Sequence, residues 1–462
     1  MSKVRPISGF PEWLPRERIV EQHFLDVIRE TFELHGFASI QTRAVEPIER
    51  LSSQGADTDK EIYAISRLAA GMGGRNEAAA GSRLGLHFDL TVPFARYVLE
   101  NSGQLTFPFR RYQIQPVWRG ERPQEGRYRE FTQCDIDIVD VGELAPHYEA
   151  ELPLVIADAF GKLPIGPFRI QVNNRKIPEG FYLGVGLTDV KTMLQIVDKL
   201  DKIGPERVFD LMVAAGATAE QAKAALALAE ISAPDESFVE RVNALGVRHE
   251  TLTQGLAELA DVIRVGAEHA SGLMVADLKV ARGLDYYTGT VYETQLIGSE
   301  SYGSICSGGR YDALASDGRT TYPGVGISIG LSRLLAKLMP TLSASRSTPS
   351  CVLVALAAET DRAQGMGVAA ALRKRGIPCE VAPAADKFGK QIKFAERRGI
   401  PFVWFPASAD QGGDSVKDIR SGAQSESDPS SWMPPADDLW PRVTALDHGA
   451  DGHRSGLPRN GD

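Results

Sequence analysis

Apolar residues recur along this chain with two different periods. Between Pro15 and Glu33, Ile19, Phe24, Val27, Ile28 and Phe32 stand at helical spacing with charges between them, which predicts an amphipathic helix. Gly36 supplies its stop, and "HGFASIQTRAVEP" continues as an extended run ended by Pro47. From Phe107 to Val141 apolar and polar positions alternate. Two such runs flank a polar Gly/Pro/Arg segment, so two antiparallel strands joined by a long loop are predicted. From about Thr188 to Glu268 the text turns rich in Ala, Leu and charge, and helical periodicity dominates. Strand-like text returns over 273–297 and 302–312, and "GVGISIGLSRLLAKL" passes from small residues into a helix.

The Ser/Thr/Pro content of Thr341–Ser350 marks a boundary. Beyond it "CVLVALA", "IPCEVA" and "IPFVWFPA" alternate with helical text through "AAALRKRG" and "GKQIKFAERRG". That order predicts a small α/β domain with a mostly parallel sheet. The polar, Gly-rich residues 445–462 are expected to be disordered.

Composition narrows the classes. At 462 residues the chain is long for one core, and 43% hydrophobic with 24% charged residues is ordinary for a soluble globular protein. A formal charge of -9 argues against a generally basic nucleic-acid coat while leaving room for local basic grooves. Cys134, Cys306, Cys351 and Cys379 lie far apart with no CxxC, which fits a reducing cytoplasm better than a disulfide framework or a zinc site. The start of the chain has no apolar targeting core, no segment is long enough to span a bilayer, and no HExxH-type histidine pair occurs.

Several stretches carry candidate chemistry. "WRGERPQEGRYR" crowds Arg119, Arg122, Arg127 and Arg129 around Glu121 and Glu125. It reads either as a solvated hairpin tip or, since Arg119 follows Trp118 at a strand end, as a guanidinium fork for phosphate or carboxylate. In "FTQCDIDIVD" the residues Gln133, Asp135 and Asp137 share one strand face opposite Cys134, Ile136 and Ile138. That polar face is either solvated or the floor of a pocket. In "LHFDLTVPFARYV" Asp89 and Thr91 repeat the spacing, although Asp89 could simply cap a helix near Pro93. "GVGISIG" lacks GxGxxG spacing, so its small residues would let a backbone or a flat base approach closely. In "ARGLDYYTGTVYE" a permanent cation, Arg282, precedes Tyr286 and Tyr287.

On these stretches the chain resembles the histidyl-tRNA synthetases over nearly its whole length. "HGFASIQTRAVEPIE", "FRRYQIQPVWRGERPQEGRYREFTQCDIDI" and "GVGISIGLSRLLAKL" resemble motifs 1, 2 and 3 of the class II aminoacyl-tRNA synthetases. "ARGLDYYTGTVYE" and "SGGRYDALA" are similar to two stretches peculiar to the histidine enzyme, and "KQIKFAERRGIPFVWF" to the class II anticodon-binding domain. The resemblance implies an α+β fold: an antiparallel sheet flanked by helices, with a helical insertion and a C-terminal α/β anticodon-binding domain. It divides the chain into catalytic parts at 1–174 and 271–340, an insertion at 175–270, a linker at 341–350, an anticodon-binding domain at 351–444 and the tail.

The implied reaction joins L-histidine and ATP into histidyl-adenylate, then passes the histidyl group to the 3′ end of tRNA(His). Carried over residue by residue, Arg119 would hold the α-phosphate and the histidine carboxylate, with Arg282 approaching from the opposite side. Glu121 would meet the adenine, Arg127 the nucleotide and Arg333 the γ-phosphate. Asp89, Thr91 and Gln133 would surround the α-ammonium, and Asp137 and Tyr287 the two imidazole nitrogens, with Tyr286 lining the pocket. Mg²⁺ would accompany the pyrophosphate, and the enzyme would be a cytoplasmic homodimer without membrane attachment. Ser332 departs from the pattern, standing where the class usually has an acid before the motif 3 arginine. The alternative is the regulatory subunit of ATP phosphoribosyltransferase, a histidine-sensing paralogue that usually lacks the anticodon-binding domain. Weak candidates for tRNA contact are Arg373, Lys374, Arg375, Lys390 and Lys393.

Overall fold

A computed structural model describes residues 5–52, 61–66, 83–281, 286–407 and 412–446. The chain divides into two units, Met1–Pro11 with Asp26–Ala336 and Glu12–Leu25 with Lys337–Asp462. The strands of the larger unit are β1 (Ala38–Ser39), β2 (Val45–Pro47), β3 (Ala64–Ile65), β4 (Leu84–Leu86), β5 (Phe109–Trp118) and β6 (Glu130–Val139). They continue with β7 (Phe168–Asn174), β8 (Ser232–Ala233), β9 (Met274–Asp277), β10 (Thr290–Leu296), β11 (Cys306–Tyr311) and β12 (Gly324–Gly330). Nine of them form one sheet in the order β1-β5-β6-β12-β11-β10-β7-β9-β8. From β5 to β7 every pairing is antiparallel, while β1–β5 and β7–β9 are parallel. This is the α+β architecture that the resemblance implied.

The alternation in the sequence builds this sheet. Cys134, Ile136 and Ile138 of β6 and Val325, Ile327 and Ile329 of β12 are buried on one face. Burying each such side chain is worth about 1.5–3 kcal/mol, and a slip of one residue would turn the whole set to the polar face, so the register is strongly fixed. Helix α1 (Pro15–Leu34) has residues in both units, and α2 (Thr91–Asn101) and α3 (His147–Gly161) belong to the larger one. Phe24, Ile28 and Phe32 of α1 are fully buried, as the periodicity predicts, and α3 packs on β12. Between β7 and β9 run α4 (Lys176–Gly184), α5 (Val190–Val197), α6 (Leu200–Ala214), α7 (Ala219–Ala229), α8 (Ser237–Asn243) and α9 (Glu250–His269). The last of these packs on α4, α3, β7 and β9. Helix α10 (Leu331–Leu338) follows β12 directly.

In the smaller unit β13 (Leu342–Ala344) precedes a sheet of β14 (Val352–Val354), β15 (Cys379–Val381), β16 (Phe402–Phe405), β17 (Ser415–Asp418) and β18 (Gln424–Glu426). The first three pair in parallel; β16–β17 and β17–β18 are antiparallel, so a hairpin is added to the expected parallel core. Val352 and Val354 face a core shared with α11 (Arg362–Lys374), and Leu353 faces another shared with α12 (Phe388–Arg398). The stretch read as a linker carries β13, which pairs with β19 (Val443–Ala445). Arg346 within it is buried and donates to the carbonyls of Thr348, Pro349, Asp438 and Leu439. Of the tail expected at 445–462, Ala445 is ordered in β19, and the residues from 447 onward lie outside the described residues. None of the four cysteines forms a disulfide, and all are buried. Among the described residues no helix is long and apolar enough to cross a membrane.

Candidate active site

One face of the sheet is polar and buried. Strand β5 contributes Arg111, Gln113 and Gln115; directly opposite on β6 stand Asp137, Asp135 and Gln133. Across β6 the partners are Gly326, Ser328 and Gly330 of β12, and Gly309 and Ser307 of β11 continue the rows. All six residues contributed by β5 and β6 are buried. The strand face that the sequence left open between solvent and pocket is therefore a floor.

This floor opens into a cavity of about 370 Å³. Asp89, Thr91, Arg119, Glu121, Arg127, Gln133, Tyr286, Tyr287 and Arg333 all line it, although they come from five separate stretches of sequence. Asp137 does not line it. Its carboxylate lies within the floor, 2.6 Å from Arg111 Nη2, and accepts from Tyr311 Oη at 2.7 Å. Arg282 lies outside the described residues.

Several of the lining side chains are held by specific neighbours. Arg119 leaves the end of β5, where Trp118 stacks on His87 and donates to Glu130 at 2.6 Å. Its Nε donates to the Phe88 carbonyl at 3.0 Å, which ties it to the turn bearing Asp89. Asp89 does both things the sequence allowed: Oδ1 accepts from the Val92 N–H at the start of α2 at 3.2 Å, and buried Oδ2 has no protein partner. Gln133 donates to Ser328 at 2.8 Å while its own Oε1 is likewise unpartnered. Glu121 meets Arg127 at 3.3 Å. Arg333 lies over the Tyr302 ring and donates to the Tyr302 carbonyl, and Tyr302 Oη donates to the Arg333 carbonyl at 2.7 Å.

The electrostatics are those of a carboxylate cluster short of positive charge. Burial pushes Asp89 up to about 6, against the Val92 hydrogen bond and the charges of Arg119 and Arg111. It pushes Asp135 up to about 7 and Asp137 to about 6, with Arg111 the largest opposing influence on both. Burial also raises Tyr286, Tyr287 and Tyr311, so these phenols keep their protons. Among the described residues no group of three or more His, Cys, Asp or Glu side chains could hold a metal ion.

A family model described as histidyl-tRNA synthetase matches residues 9–334, well over half of the chain. The chain belongs to the histidyl-tRNA synthetase family. It is 60% identical over 454 residues to the histidine–tRNA ligase of Micrococcus luteus, covering 96% of this chain and 99% of that protein. With the histidine–tRNA ligase of Cutibacterium acnes it shares 58% over 453 residues, at 96% and 99% coverage. The crystal structure of histidyl-tRNA synthetase from Nostoc sp. PCC 7120 superposes with a TM-score of 0.81 at 34% identity, covering 92% of this chain and 97% of that one.

Within this family framework two sequence features acquire physical reasons. The glycines of the motif 3 stretch make room for protein, whereas a flat base was one of the occupants expected. A Cβ at Gly326 would lie 2.1 Å from Asp137 Oδ1, and one at Gly324 would lie 2.6 Å from the Tyr311 ring. Ser332, in the place of the usual acid, accepts the Thr132 N–H at 2.9 Å and so ties α10 to β6. Arg111, Gln113, Gln115 and Ser328 are floor residues the sequence reading passed over. "RRYQIQ" carries the signal for the first three, since its polar residues fall at the same spacing as Gln133, Asp135 and Asp137. In "SGGRYDALA", Arg310 pairs with buried Glu149 at 2.7 Å, and the backbone N–H of Thr290 and Oη of Tyr292 also donate to Glu149, so β10 and β11 are pinned to α3. Of the basic candidates in the smaller unit, Arg373 and Arg375 donate to backbone carbonyls, and Lys390 meets Asp386 at 3.2 Å.

Proposed function

We propose that the protein is a histidine–tRNA ligase, activating L-histidine with ATP and transferring it to the 3′ end of tRNA(His). The observation that carries this reading is the gathering, in one cavity, of unpartnered acceptors beside fixed guanidinium groups. Asp89 Oδ2 and Gln133 Oε1 suit an α-ammonium, whose charge the clustered carboxylates lack. Arg119, Arg127 and Arg333 suit the anions of a nucleotide triphosphate and an amino-acid carboxylate.

The chemistry follows from that division. The histidine carboxylate attacks the α-phosphorus in line and pyrophosphate leaves, so the protein must position two anions and stabilise charge growing between them. Arg119, tethered through Phe88 to the Asp89 turn, would hold both reactants in register. Arg282 would reach the α-phosphate from the other side, and Arg333 the γ-phosphate, with Glu121 at the adenine. Thr91 and Tyr286 would complete the amino-acid pocket. Asp137 and Tyr287 would read the imidazole, which offers one donor and one acceptor when neutral. A site that pairs both nitrogens can reject apolar amino acids by roughly 10⁴. Mg²⁺ would enter with ATP as part of the substrate. A cytoplasmic homodimer is supported by the family, with β1, at the sheet edge, as the motif 1 segment where a second copy would meet.

ATP–pyrophosphate exchange dependent on L-histidine, followed by charging of tRNA(His), tests the reading. Folded protein that catalyses neither would refute it. The histidine-sensing paralogue is the weaker reading, because Arg119 and Arg333 both stand in the cavity and an α/β unit follows residue 350.

A further inference from the structure

Arg111 is fully buried, lines no part of the cavity, and faces three carboxyl groups. It stands directly opposite Asp137 in the β5–β6 register, with Nη2 2.6 Å from Oδ2. Beneath it the Phe94 ring lies 4.2 Å from the guanidinium carbon. Nε, Nη1 and Nη2 all lack a hydrogen-bond partner, so the contact with Asp137 is an ion pair and not a hydrogen bond. A buried ion pair of this kind rarely stabilises a fold more than a well-packed apolar side chain of the same volume would. Stability alone therefore does not account for a guanidinium here; its effect on Asp137 does.

We propose that Arg111 is a positioning residue for amino-acid selection: without touching substrate, it pins Asp137 and keeps it charged, so that Asp137 can accept the imidazole N–H of histidine. This rests on the reading that Asp137, which lies in the floor beneath the cavity rather than in its lining, meets the imidazole once histidine is bound. The carboxylate is held between the Arg111 ion pair at one oxygen and the Tyr311 hydrogen bond at the other, which restricts its orientation. The charged and titratable groups around it are Arg111 from β5, Asp135 from its own strand, Tyr311 from β11, Tyr287 beside it and Asp89 across the cluster. Strand β12 offers only Gly326 at this point. Among the described residues Arg111 is thus the cation in contact with Asp137, and removing it leaves burial and like charges to favour the protonated acid. A protonated Asp137 would present a donor to a donor, and neutral histidine would lose its contact at that nitrogen.

The test is ATP–pyrophosphate exchange with histidine varied at several pH values, using Arg111→Met, Arg111→Lys, Asp137→Asn and the Arg111→Met/Asp137→Asn double variant. Histidine's own imidazole titrates identically in every assay, so differences between variants belong to the protein. For Arg111→Met the KM for histidine is expected to rise about tenfold near neutral pH, the equivalent of one pKa unit of lost carboxylate charge. Its acid limb should move upward by about one pH unit, while the KM for ATP changes less than about twofold. Arg111→Lys should recover most of the loss, and the double variant should be no worse than Asp137→Asn alone. Parental KM and pH profile in Arg111→Met would overturn the proposal. Should that variant not fold, additive losses in the double variant, or Arg111→Lys no better than Asp137→Asn, would overturn it equally. Parental histidine KM in Asp137→Asn would remove its basis, identifying the underlying reading of Asp137 as the error.

Discussion

Gly326→Ala should disable histidine handling through one added methyl group. The new Cβ would lie 2.1 Å from Asp137 Oδ1 and 2.6 Å from its Cγ, far inside van der Waals contact. The carboxylate cannot simply step aside, because Arg111 holds one oxygen at 2.6 Å and Tyr311 the other at 2.7 Å. A displacement of roughly 1 Å disrupts the Arg111 ion pair or breaks the Tyr311 hydrogen bond, costing about 1.5–3 kcal/mol. Strain in the overpacked strand adds about 1–3 kcal/mol. The total, about 2.5–6 kcal/mol, corresponds to a fall in melting temperature of roughly 5–12 °C for a unit of this size. Thermal melting followed by tryptophan fluorescence measures the first effect, and the histidine KM in pyrophosphate exchange the second. Gly103→Ala is the control: nothing lies within 4 Å of its Cβ position, so the variant should behave as the parent. A Gly326→Ala protein that melts within about 1 °C of the parent and has its histidine KM would refute the held-carboxylate argument.

Three further outcomes follow from the same geometry. Asp89, Asp135 and Asp137 are raised from 3.8 to about 6, 7 and 6, so their favourable contribution to stability is complete below about pH 4 and is lost as pH rises through 6–7. Histidine's ammonium offsets that loss, which for Asp89 alone amounts to roughly 3 kcal/mol; saturating histidine should therefore raise the melting temperature more at pH 8 than at pH 5, and equal shifts would contradict the assignment. Ser332→Ala leaves the Thr132 N–H without its acceptor, and should lower stability by about 1–3 kcal/mol in urea melts, with recovery in Ser332→Thr. Arg346→Met strips four backbone carbonyls of their donor and should destabilise the smaller unit by about 3 kcal/mol or more. Calorimetry should then show an early partial transition, with tRNA charging falling before pyrophosphate exchange does.

Much of the scaffold is written locally. The α1 periodicity foretells Phe24, Ile28 and Phe32 as core because a helix repeats its contacts every three or four residues. The alternation in "FTQCDIDIVD" foretells two faces of β6, but a strand's own sequence does not say which face meets water. That depends on what lies above, and the turn bearing Asp89 comes from more than forty residues upstream. "RRYQIQ" carries the same alternation, and Arg111 escaped notice because its partner is on another strand. Composition misjudged Thr341–Ser350 for a similar reason: Leu342–Ala344 pairs with Val443–Ala445, and a pairing across about a hundred residues leaves no local trace.

The small residues of "GVGISIG" show where that limit lies. Glycine in a strand says that something comes close, since it weakens the strand otherwise; it does not say what. Here Asp137 fills the space at Gly326 and Tyr311 fills it at Gly324. Those two side chains are hydrogen-bonded to each other, and Asp137 is ion-paired with Arg111. Residues 111, 137, 311, 324 and 326 therefore form one unit drawn from four strands, in which no member has a reason on its own strand. A lone change at any of them leaves the others strained or unpaired, so losses within the unit should be strongly non-additive. The amino-acid pocket is thus specified by its second layer as much as by the side chains that line it.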